Sequence, residues 1–185
     1  MIQLLKVYDV ATEPLTLVFE YIPLSLATVL DHIDMQEGEE KGIIHMLLQG
    51  LDALHARKIW HRDLKPANLL IRPSDGCLKI ADFGQARFAT LADQEEPLSH
   101  EVATRWYRAP ELLFGANRYD AGVDLWATGC IIAHIYNRAP LFPGRNDIDQ
   151  IVTVFAALGS PTDETWPVSL LSRLSTMNYK TEQMV

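Results

Sequence analysis

The sequence predicts an α+β fold that is mostly α-helical, with a small β-sheet near its start. Two short segments rich in Leu, Val and Tyr, Leu4–Val10 and Leu15–Tyr21, open the chain, and segments of this kind favour β-strands. Several longer segments then repeat apolar residues at the spacing of an amphipathic helix. We therefore expect a small sheet attached to a larger helical body.

The first half of the chain is predicted to hold two strands and then two helices. A turn around Glu13 and Pro14 joins the strands. Apolar residues within Leu26–Ile33 recur at i, i+3, i+4 and i+7, and Ser25 suits the N-cap of this helix. The acidic run Glu37–Glu40 begins a longer helix. Carboxylates in a first turn complement the helix dipole, so we assign this run no catalytic role.

The middle of the chain is predicted to hold a strand pair and a long loop. Strand-like segments at Asn68–Ile71 and Leu78–Ala81 flank the turn Pro73–Gly76. From Ala86 to Glu101 no periodicity is present, which predicts a loop. A loop of this length inside a compact domain is usually functional.

Two further helices are predicted after that loop. Asp120 is the expected cap of the first, whose apolar positions run from Val123 to Ile135. The second follows Asn146 and stops at Gly159, because glycine favours the end of a helix. The apolar side chains of this last helix are all predicted to face inward: Ile148, Ile151, Val152, Phe155 and Leu158. From Ser160 onward we expect irregular structure.

Composition narrows the class of protein. The chain has 185 residues, of which 48% are hydrophobic and 22% charged, as expected for one globular domain. The net charge of −8 disfavours non-specific binding to nucleic acid or to anionic membranes. Acidic residues among the first twenty argue against a secretory signal, and no apolar run approaches the roughly 18 residues that span a bilayer. Cys77 and Cys130 lack metal-ligand spacing and suggest a reducing, intracellular location.

The stretch that says most about function is Trp60–Ile71, which reads Trp-His-Arg-Asp-Leu-Lys-Pro-Ala-Asn-Leu-Leu-Ile. An Asp-Phe-Gly tripeptide follows at Asp82–Gly84, and Ala-Pro-Glu follows at Ala109–Glu111. Each short motif recurs by chance when taken alone. In this order and at these spacings, with strand-like flanks, they predict a phosphoryl-transfer site.

The chemistry of that site follows from a few side chains. Asp63 stands five residues before Asn68 and nineteen before Asp82. Asp63 would orient a hydroxyl nucleophile and accept its proton. Lys65 would place a positive charge against the transferring phosphate, whereas Asn68 and Asp82 would supply the oxygen ligands that Mg²⁺ prefers. We interpret His61 as structural, a packed histidine that braces the loop.

With these motifs the sequence resembles the cyclin-dependent-kinase-like serine/threonine protein kinases, up to about Pro167. Lys65 is typical of the serine/threonine branch rather than the tyrosine branch. The segment Glu101–Glu111 is similar to that of the proline-directed group. Glu111–Ala116 and Pro140–Gly144 resemble the cell-cycle-related kinase and the kinase that activates cyclin-dependent kinases. The sequence does not separate these two.

The resemblance implies a binding site for ATP with two magnesium ions. Phe19 would be the gatekeeper at the back of the adenine site. The backbones of Glu20 and Ile22 would hydrogen-bond to adenine, and Leu70 would form the floor beneath it. Metal binding is assigned to Asn68 and Asp82, as above.

Further roles are implied for the activation segment and for the central helix. Thr104 would contact both Asp63 and Lys65, in support of catalysis. Asp124, buried on the central helix, would hold the backbone of the catalytic loop, residues 61–68. The resemblance places the activation segment at residues 82–111. Arg105 and Arg108 would shape the site for the residue after the phosphoacceptor, which implies a preference for Ser/Thr-Pro.

The resemblance also implies a regulatory position. Ser99 falls where the family carries its activating phosphosite. A phosphate there would add nearly two negative charges and order the loop against Arg62 and Arg87. An unmodified loop serine is the equally weighted alternative.

The resemblance divides the chain into a remnant of the kinase small lobe with its hinge, residues 1–24, and an incomplete large lobe, residues 25–185. The family's glycine-rich loop, its phosphate-anchoring lysine and the helix that cyclins contact would all precede Met1. Glu111 would pair with an arginine beyond the last residue, and an unpaired buried charge there would cost roughly 3–5 kcal/mol. Gln85 stands where the family usually has leucine. We therefore expect a fragment of a longer kinase, with little activity alone.

The sequence thus predicts an ATP-dependent serine/threonine kinase that acts on protein substrates, with a cyclin-like activator for the longer parent. We expect no nucleic-acid partner and no membrane partner, and a location in the nucleus, the cytoplasm or both. The alternative is a non-catalytic interaction module built from the large lobe. Intact Asp63, Lys65, Asn68 and Asp82 favour the enzyme. A small-molecule phosphotransferase is disfavoured by the long activation segment.

Overall fold

The structure is a computed structural model that describes residues 1–9, 14–89 and 103–160. Within these residues the strands, in chain order, are β1 (Leu4–Tyr8), β2 (Thr16–Phe19), β3 (Leu24–Ser25), β4 (Ile59–Trp60), β5 (Leu69–Arg72), β6 (Cys77–Ile80) and β7 (Arg87–Phe88). The α-helices are α1 (Leu26–His32), α2 (Glu37–His55), α3 (Pro110–Leu113), α4 (Gly122–Asn137) and α5 (Asp147–Leu158). No helix in this described part is long and apolar enough to cross a membrane.

The strands form three small antiparallel sheets. β1 pairs with β2, with a register shift between Leu4 and Lys6. β5 lies between β3 and β6, and Leu70 is the residue that faces both Ser25 and Lys79 across the two ladders. β4 pairs with β7. β4 lies at the start of the stretch Trp60–Ile71 and β5 lies at its end. Strand pairing therefore fixes both ends of the catalytic loop.

Two helices begin at polar residues that the sequence predicts, α1 at Ser25 and α5 at Asn146, whereas the N-cap of α4 is Ala121 and not the predicted Asp120. The hydroxyl of Ser25 accepts a hydrogen bond from the backbone N–H of Thr28 at the start of α1. Asn146 does the same for the N–H of Asp149 at the start of α5. Such caps satisfy backbone donors that the first turn leaves unpaired. Asp120 accepts from Gly122 N at 2.7 Å and so supports the first turn of α4.

One hydrophobic core joins the large helices to the β3–β5–β6 sheet. Its fully buried side chains come from α1, α2, α4, β5 and β6, and include Leu26, Leu47, Leu54, Leu69, Ile80, Ile131 and Ile135. The residues of β1 and β2 are exposed. The catalytic loop lies against this core, because Leu64 within it is fully buried.

The predicted inward face of α5 is wrong in part. Ile148, Val152 and Leu158 are exposed, whereas Gln150 and Val154 are buried. The reason is a polar contact that hydrophobic periodicity does not report. The Gln150 side-chain carbonyl accepts the backbone N–H of Gly144 at 2.9 Å, which turns this face of the helix inward.

Some boundaries also differ from the prediction. The first two strands are shorter than predicted, and the turn around Glu13 and Pro14 lies partly outside the described residues. Asn68 ends a 3₁₀ turn rather than starting a strand. Part of the predicted loop after Ala86 forms β7. The two-residue strands and the short helix α3 were not predicted.

Candidate active site

The catalytic loop is held in place by one buried carboxylate on α4. Asp124 is 1% exposed, and it accepts hydrogen bonds from the backbone N–H groups of His61 and Arg62, each at 2.8 Å. The ring of His55 on α2 adds a third contact at 2.9 Å. Arg62 has φ 66°, in the left-handed region. The carboxylate therefore fixes a turn that a non-glycine residue adopts at a cost.

Asp63 lies at the centre of the candidate site. Its Oδ1 accepts hydrogen bonds from the backbone N–H and the hydroxyl of Thr104, at 3.0 and 3.1 Å. Its Oδ2 accepts from Lys65 Nζ at 2.8 Å and from Asn68 Nδ2 at 3.3 Å. The structure thus brings four predicted site residues into one cluster. Donors on both oxygens leave the carboxylate with a single orientation.

The amide of Asn68 has only one orientation that fits these contacts. Its Nδ2 donates to the Asp63 carbonyl at 2.9 Å as well as to the Asp63 carboxylate. Its Oδ1 therefore points the other way, and no described residue donates to it. Asp82 is exposed and left-handed, with φ 61°, and within the described residues its Oδ1 accepts a hydrogen bond from the backbone N–H of Gly84.

These two side chains fit a magnesium site. Asn68 and Asp82 present oxygen atoms that the described residues leave available, and oxygen is the ligand type that Mg²⁺ prefers. Within residues 1–9, 14–89 and 103–160, no group of three His, Cys, Asp or Glu side chains could hold a metal by itself. A magnesium ion here would depend on phosphate oxygens and water for its other ligands, which is its usual mode of binding beside nucleotides.

His61 is buried, as its predicted structural role requires. Its Nε2 donates to the carbonyl of Ala81 at 3.0 Å, and its Nδ1 accepts from the backbone N–H of Asp63. Phe83 packs edge-on against its ring, with centroids 5.0 Å apart. Burial lowers the pKa of His61, because desolvation disfavours the charged ring. A neutral His61 ties the catalytic loop to the residue before Asp82.

A cavity of about 420 Å³ lies between the first sheet and the Asp-Phe-Gly turn. It is lined by Ile2, Leu17, Phe19, Asp82, Phe83 and Gly84. The predicted gatekeeper Phe19 therefore faces the predicted metal ligand Asp82 across one space. Ile22 is buried, and Leu70 is half-buried on β5. Neither lines this cavity, and neither does Glu20, so their contacts with adenine stay predictions.

The predicted regulatory residues are only partly described. Arg62 Nε donates to the Gln85 carbonyl at 2.6 Å, and its Nη1 donates to the Tyr119 hydroxyl at 2.8 Å. Gln85 takes part through its backbone, so its departure from the family leucine does not affect this bond. Arg87 is half-buried on β7, opposite Trp60. Ser99 lies outside the described residues. No motif in the sequence predicts the contact between Arg62 and Tyr119.

Next to Thr104 the backbone takes an unusual conformation. Ala103 has φ 67°, in the left-handed region. Its carbonyl accepts two hydrogen bonds from the Arg108 guanidinium, from Nη2 at 2.9 Å and from Nε at 3.3 Å. Arg105 and Arg108 both approach Asp147 at the start of α5, at 2.8 and 3.5 Å. The two arginines therefore tie the segment around Thr104 to the start of α5. Arg108 also donates to the Ala103 carbonyl.

Glu111 is half-buried, and no cation from the described ranges lies within ion-pair distance of it. Burial raises the pKa of Glu111, with a smaller contribution from Asp120 in the same direction. Its charge therefore opposes folding at neutral pH, whereas below the unfolded-state pKa near 4.5 the group is protonated in both states.

The raised pKa of Glu111 predicts that Glu111→Gln stabilises the folded chain at neutral pH. We expect the variant to raise the midpoint of thermal unfolding at pH 7 by roughly 2–4 °C, which corresponds to about 1 kcal/mol. The gain should vanish below about pH 4, since protonated Glu and Gln are then alike. Glu37→Gln removes the same charge from an exposed helix start and is the control. A lower midpoint for Glu111→Gln at pH 7 would show that a cation stabilises this carboxylate.

The amino-acid sequence of this chain is similar to those of known proteins. Residues 1–177 match the family model described as protein kinase domain. Cyclin-dependent kinase 20 of Homo sapiens is 52% identical over 153 residues, which make up 82% of this chain and 44% of that protein. Cyclin-dependent kinase 7 of Caenorhabditis elegans is 48% identical over 153 residues, or 82% of this chain and 46% of that protein. The chain thus spans less than half the length of these curated relatives.

A solved structure is similar as well. The chain aligns with one from the crystal structure of the yeast RNA Pol II CTD kinase CTDK-1 complex, with a TM-score of 0.85 and 33% sequence identity. The match covers 100% of this chain and 60% of that chain. The arrangement of helices and small sheets described above is therefore that of a known architecture.

Proposed function

Since this chain belongs to the protein kinase family, as a cyclin-dependent-kinase-like member, we propose that it carries the phosphoryl-transfer centre of an ATP- and magnesium-dependent serine/threonine kinase. The observation that supports this proposal most strongly is the cluster around Asp63. Both carboxylate oxygens are held by donors from Thr104, Lys65 and Asn68. Such a cluster fits a positioned base beside a site for phosphate.

Asp63 is the residue proposed to receive the proton of the substrate hydroxyl. A positioned carboxylate can orient the nucleophile and accept its proton as the new bond to phosphorus forms. Thr104 keeps Oδ1 in place through two hydrogen bonds. The carboxylate therefore needs no reorientation when a substrate hydroxyl approaches, and fixed geometry of this kind lowers the barrier.

Lys65 is proposed to bind the transferring phosphate. In the structure its ammonium group contacts Asp63 Oδ2 at 2.8 Å, so it stands beside the base and could contact an incoming phosphate oxygen as well. Asn68 Oδ1 and the Asp82 carboxylate would hold magnesium. When bound, Mg²⁺ would neutralise the charge of the phosphates. Asp82 lines the 420 Å³ cavity together with Phe19, which supports a nucleotide as the phosphate donor.

The proposed substrates are proteins with serine or threonine followed by proline. A substrate peptide that passes Ala103 would offer the N–H of the residue after its phosphoacceptor. The Ala103 carbonyl is already engaged by the Arg108 guanidinium through two hydrogen bonds, so it is directed at Arg108 rather than at that N–H. Proline has no N–H to leave unsatisfied, whereas a buried donor without a partner costs about 1–3 kcal/mol.

Two peptides that differ only in the residue after serine test this proposal. We expect the protein, supplied with Mg·ATP, to phosphorylate the Ser-Pro peptide with a kcat/KM at least about tenfold higher than that for Ser-Ala. Equal values would contradict the proline preference but not the kinase activity. The chain spans less than half the length of these relatives, so transfer is expected to be slow. No transfer to either peptide, by this chain or by a form that covers the relatives' full length, would contradict the kinase proposal itself.

A cyclin-like activator is proposed from the relatives, which are named cyclin-dependent kinases. A role in the cell cycle rests on the same names. We also propose an intracellular location, in the nucleus or the cytoplasm, where the free thiols of Cys77 and Cys130 would stay reduced.

A further inference from the structure

An ion pair outside the catalytic cluster joins the two walls of the nucleotide cavity. The side chain of Glu20 accepts the backbone N–H of Gln3 at 2.8 Å, and the same Oε1 accepts from Lys79 Nζ at 3.0 Å. The Glu20 backbone N–H in turn donates to the Gln3 carbonyl at 2.9 Å. One carboxylate therefore connects the end of β2, the start of β1 and the strand β6.

These contacts determine where the first sheet sits. β2 carries the cavity residues Leu17 and Phe19 on one wall, and β6 ends two residues before Asp82 on the other. One further backbone hydrogen bond joins the walls, from Ile2 N to Ile80 O at 2.8 Å. The spacing between Phe19 and Asp82 thus depends on contacts at residues 79 and 80.

Lys79 is also a cross-strand neighbour of Leu70, the predicted adenine floor. It lies opposite Leu70 in the β5–β6 ladder, and Leu70 in turn lies opposite Ser25 of β3. Both side chains of the ion pair are shielded, at 17% exposure each, so salt screens their attraction less than it screens a surface pair. The hydrogen bond from Lys79 is the largest cause of a lowered pKa at Glu20.

We propose that Lys79 is a positioning residue for nucleotide binding, which acts through the Glu20 carboxylate to hold the hinge and the first sheet against β6. This assignment rests on the proposed function. Lys79 does not line the cavity. Its effect comes from the orientation of the Glu20 backbone and from the distance between the cavity walls, to which binding is sensitive.

The test compares Lys79→Met with Lys79→Arg and with a matched control. Arg72→Met removes a cation from the same β5–β6 hairpin, but Arg72 pairs locally with Asp75 and does not reach the hinge. We expect Lys79→Met to weaken the calorimetric affinity for Mg·ATP at least about tenfold, Lys79→Arg to restore most of it, and Arg72→Met to leave it unchanged. All variants are titrated well below their unfolding midpoints.

Amide hydrogen exchange provides a readout that a general loss of stability would not give. Lys79→Met should speed exchange at the Ile2 and Glu20 amides and leave the amides of α4 as protected as in the wild type. If the wild type binds Mg·ATP and Lys79→Met binds it with the same affinity, this inference is overturned and the proposed function is not. Uniformly faster exchange in that variant would also overturn this inference. A wild-type chain without affinity for Mg·ATP would overturn the proposed function and this assignment together.

Discussion

Replacing Asp63 with asparagine should lower the rate of phosphate transfer to a peptide serine by about 10³-fold or more, since positioned general bases contribute roughly 10²–10⁴-fold. Asparagine has nearly the same shape and can keep a hydrogen bond to Thr104. It cannot accept the hydroxyl proton, and it removes the ion pair with Lys65. The measurement is kcat with Mg·ATP and a Ser-Pro peptide.

The matched control for this variant is Asp75→Asn, which removes one carboxylate from the exposed β5–β6 turn. It should retain wild-type kcat. An Asp63→Asn variant that folds normally and keeps more than a tenth of the activity would contradict the role assigned to Asp63. If the chain is instead a non-catalytic interaction module, the variant should bind its protein partners as the wild type does, and neither form should transfer phosphate.

The largest effect on stability is expected at Asp124. Its two oxygens accept three hydrogen bonds, from His61 N, Arg62 N and the His55 ring, at a position that is 1% exposed. In Asp124→Asn, one of these oxygens becomes an NH₂ group that faces a backbone donor. We expect a loss of roughly 3 kcal/mol, which would lower the unfolding midpoint by about 6–12 °C.

Thermal unfolding by circular dichroism measures this loss. Asp120→Asn is the control, because Asp120 is exposed and accepts one backbone N–H near the start of the same helix. Its cost should stay within about 1 kcal/mol. Equal midpoints for Asp124→Asn and the wild type would show that the catalytic loop does not depend on this carboxylate.

Local sequence signals predicted the helices because their causes are local. Ser25 and Asn146 cap α1 and α5 as expected, and the apolar spacing of α2 and α4 places their buried residues in the core. The mostly helical α+β fold and the resemblance to cyclin-dependent-kinase-like enzymes are confirmed by the matched family and the similar structure. The division at residues 24 and 25 stays a prediction.

Elements formed by distant partners could not be predicted. β4 and β7 are two residues long and pair across 26 or more positions, so neither has a periodicity of its own. The orientation of α5 depends on Gln150, a polar residue that periodicity assigns to the surface but that is fully buried. Hydrogen bonds that lie outside the local helical and strand patterns decided both cases: pairing between distant segments for β4 and β7, and the contact of Gln150 with Gly144 in the preceding loop for α5.

The candidate site was predicted as a set of residues but not as a geometry. Motif spacing selected Asp63, Lys65, Asn68 and Asp82, and the structure places the first three in direct contact. The left-handed backbone at Ala103 and the contact between Lys79 and Glu20 had no sequence signal. Alanine does not favour positive φ, and lysine and glutamate are common on surfaces.

The central claim is that the Asp63 cluster, together with Asn68 and Asp82, transfers phosphate from ATP in a magnesium-dependent reaction. The most direct measurement is mass spectrometry of a Ser-Pro peptide after incubation with the protein and ATP, with magnesium present or removed by a chelator. We predict phosphorylated peptide only when magnesium is present. Phosphorylation that persists without divalent metal would contradict the roles of Asn68 and Asp82. No phosphorylation in either condition, by this chain or by a form that covers the full length of its relatives, would contradict the claim as a whole.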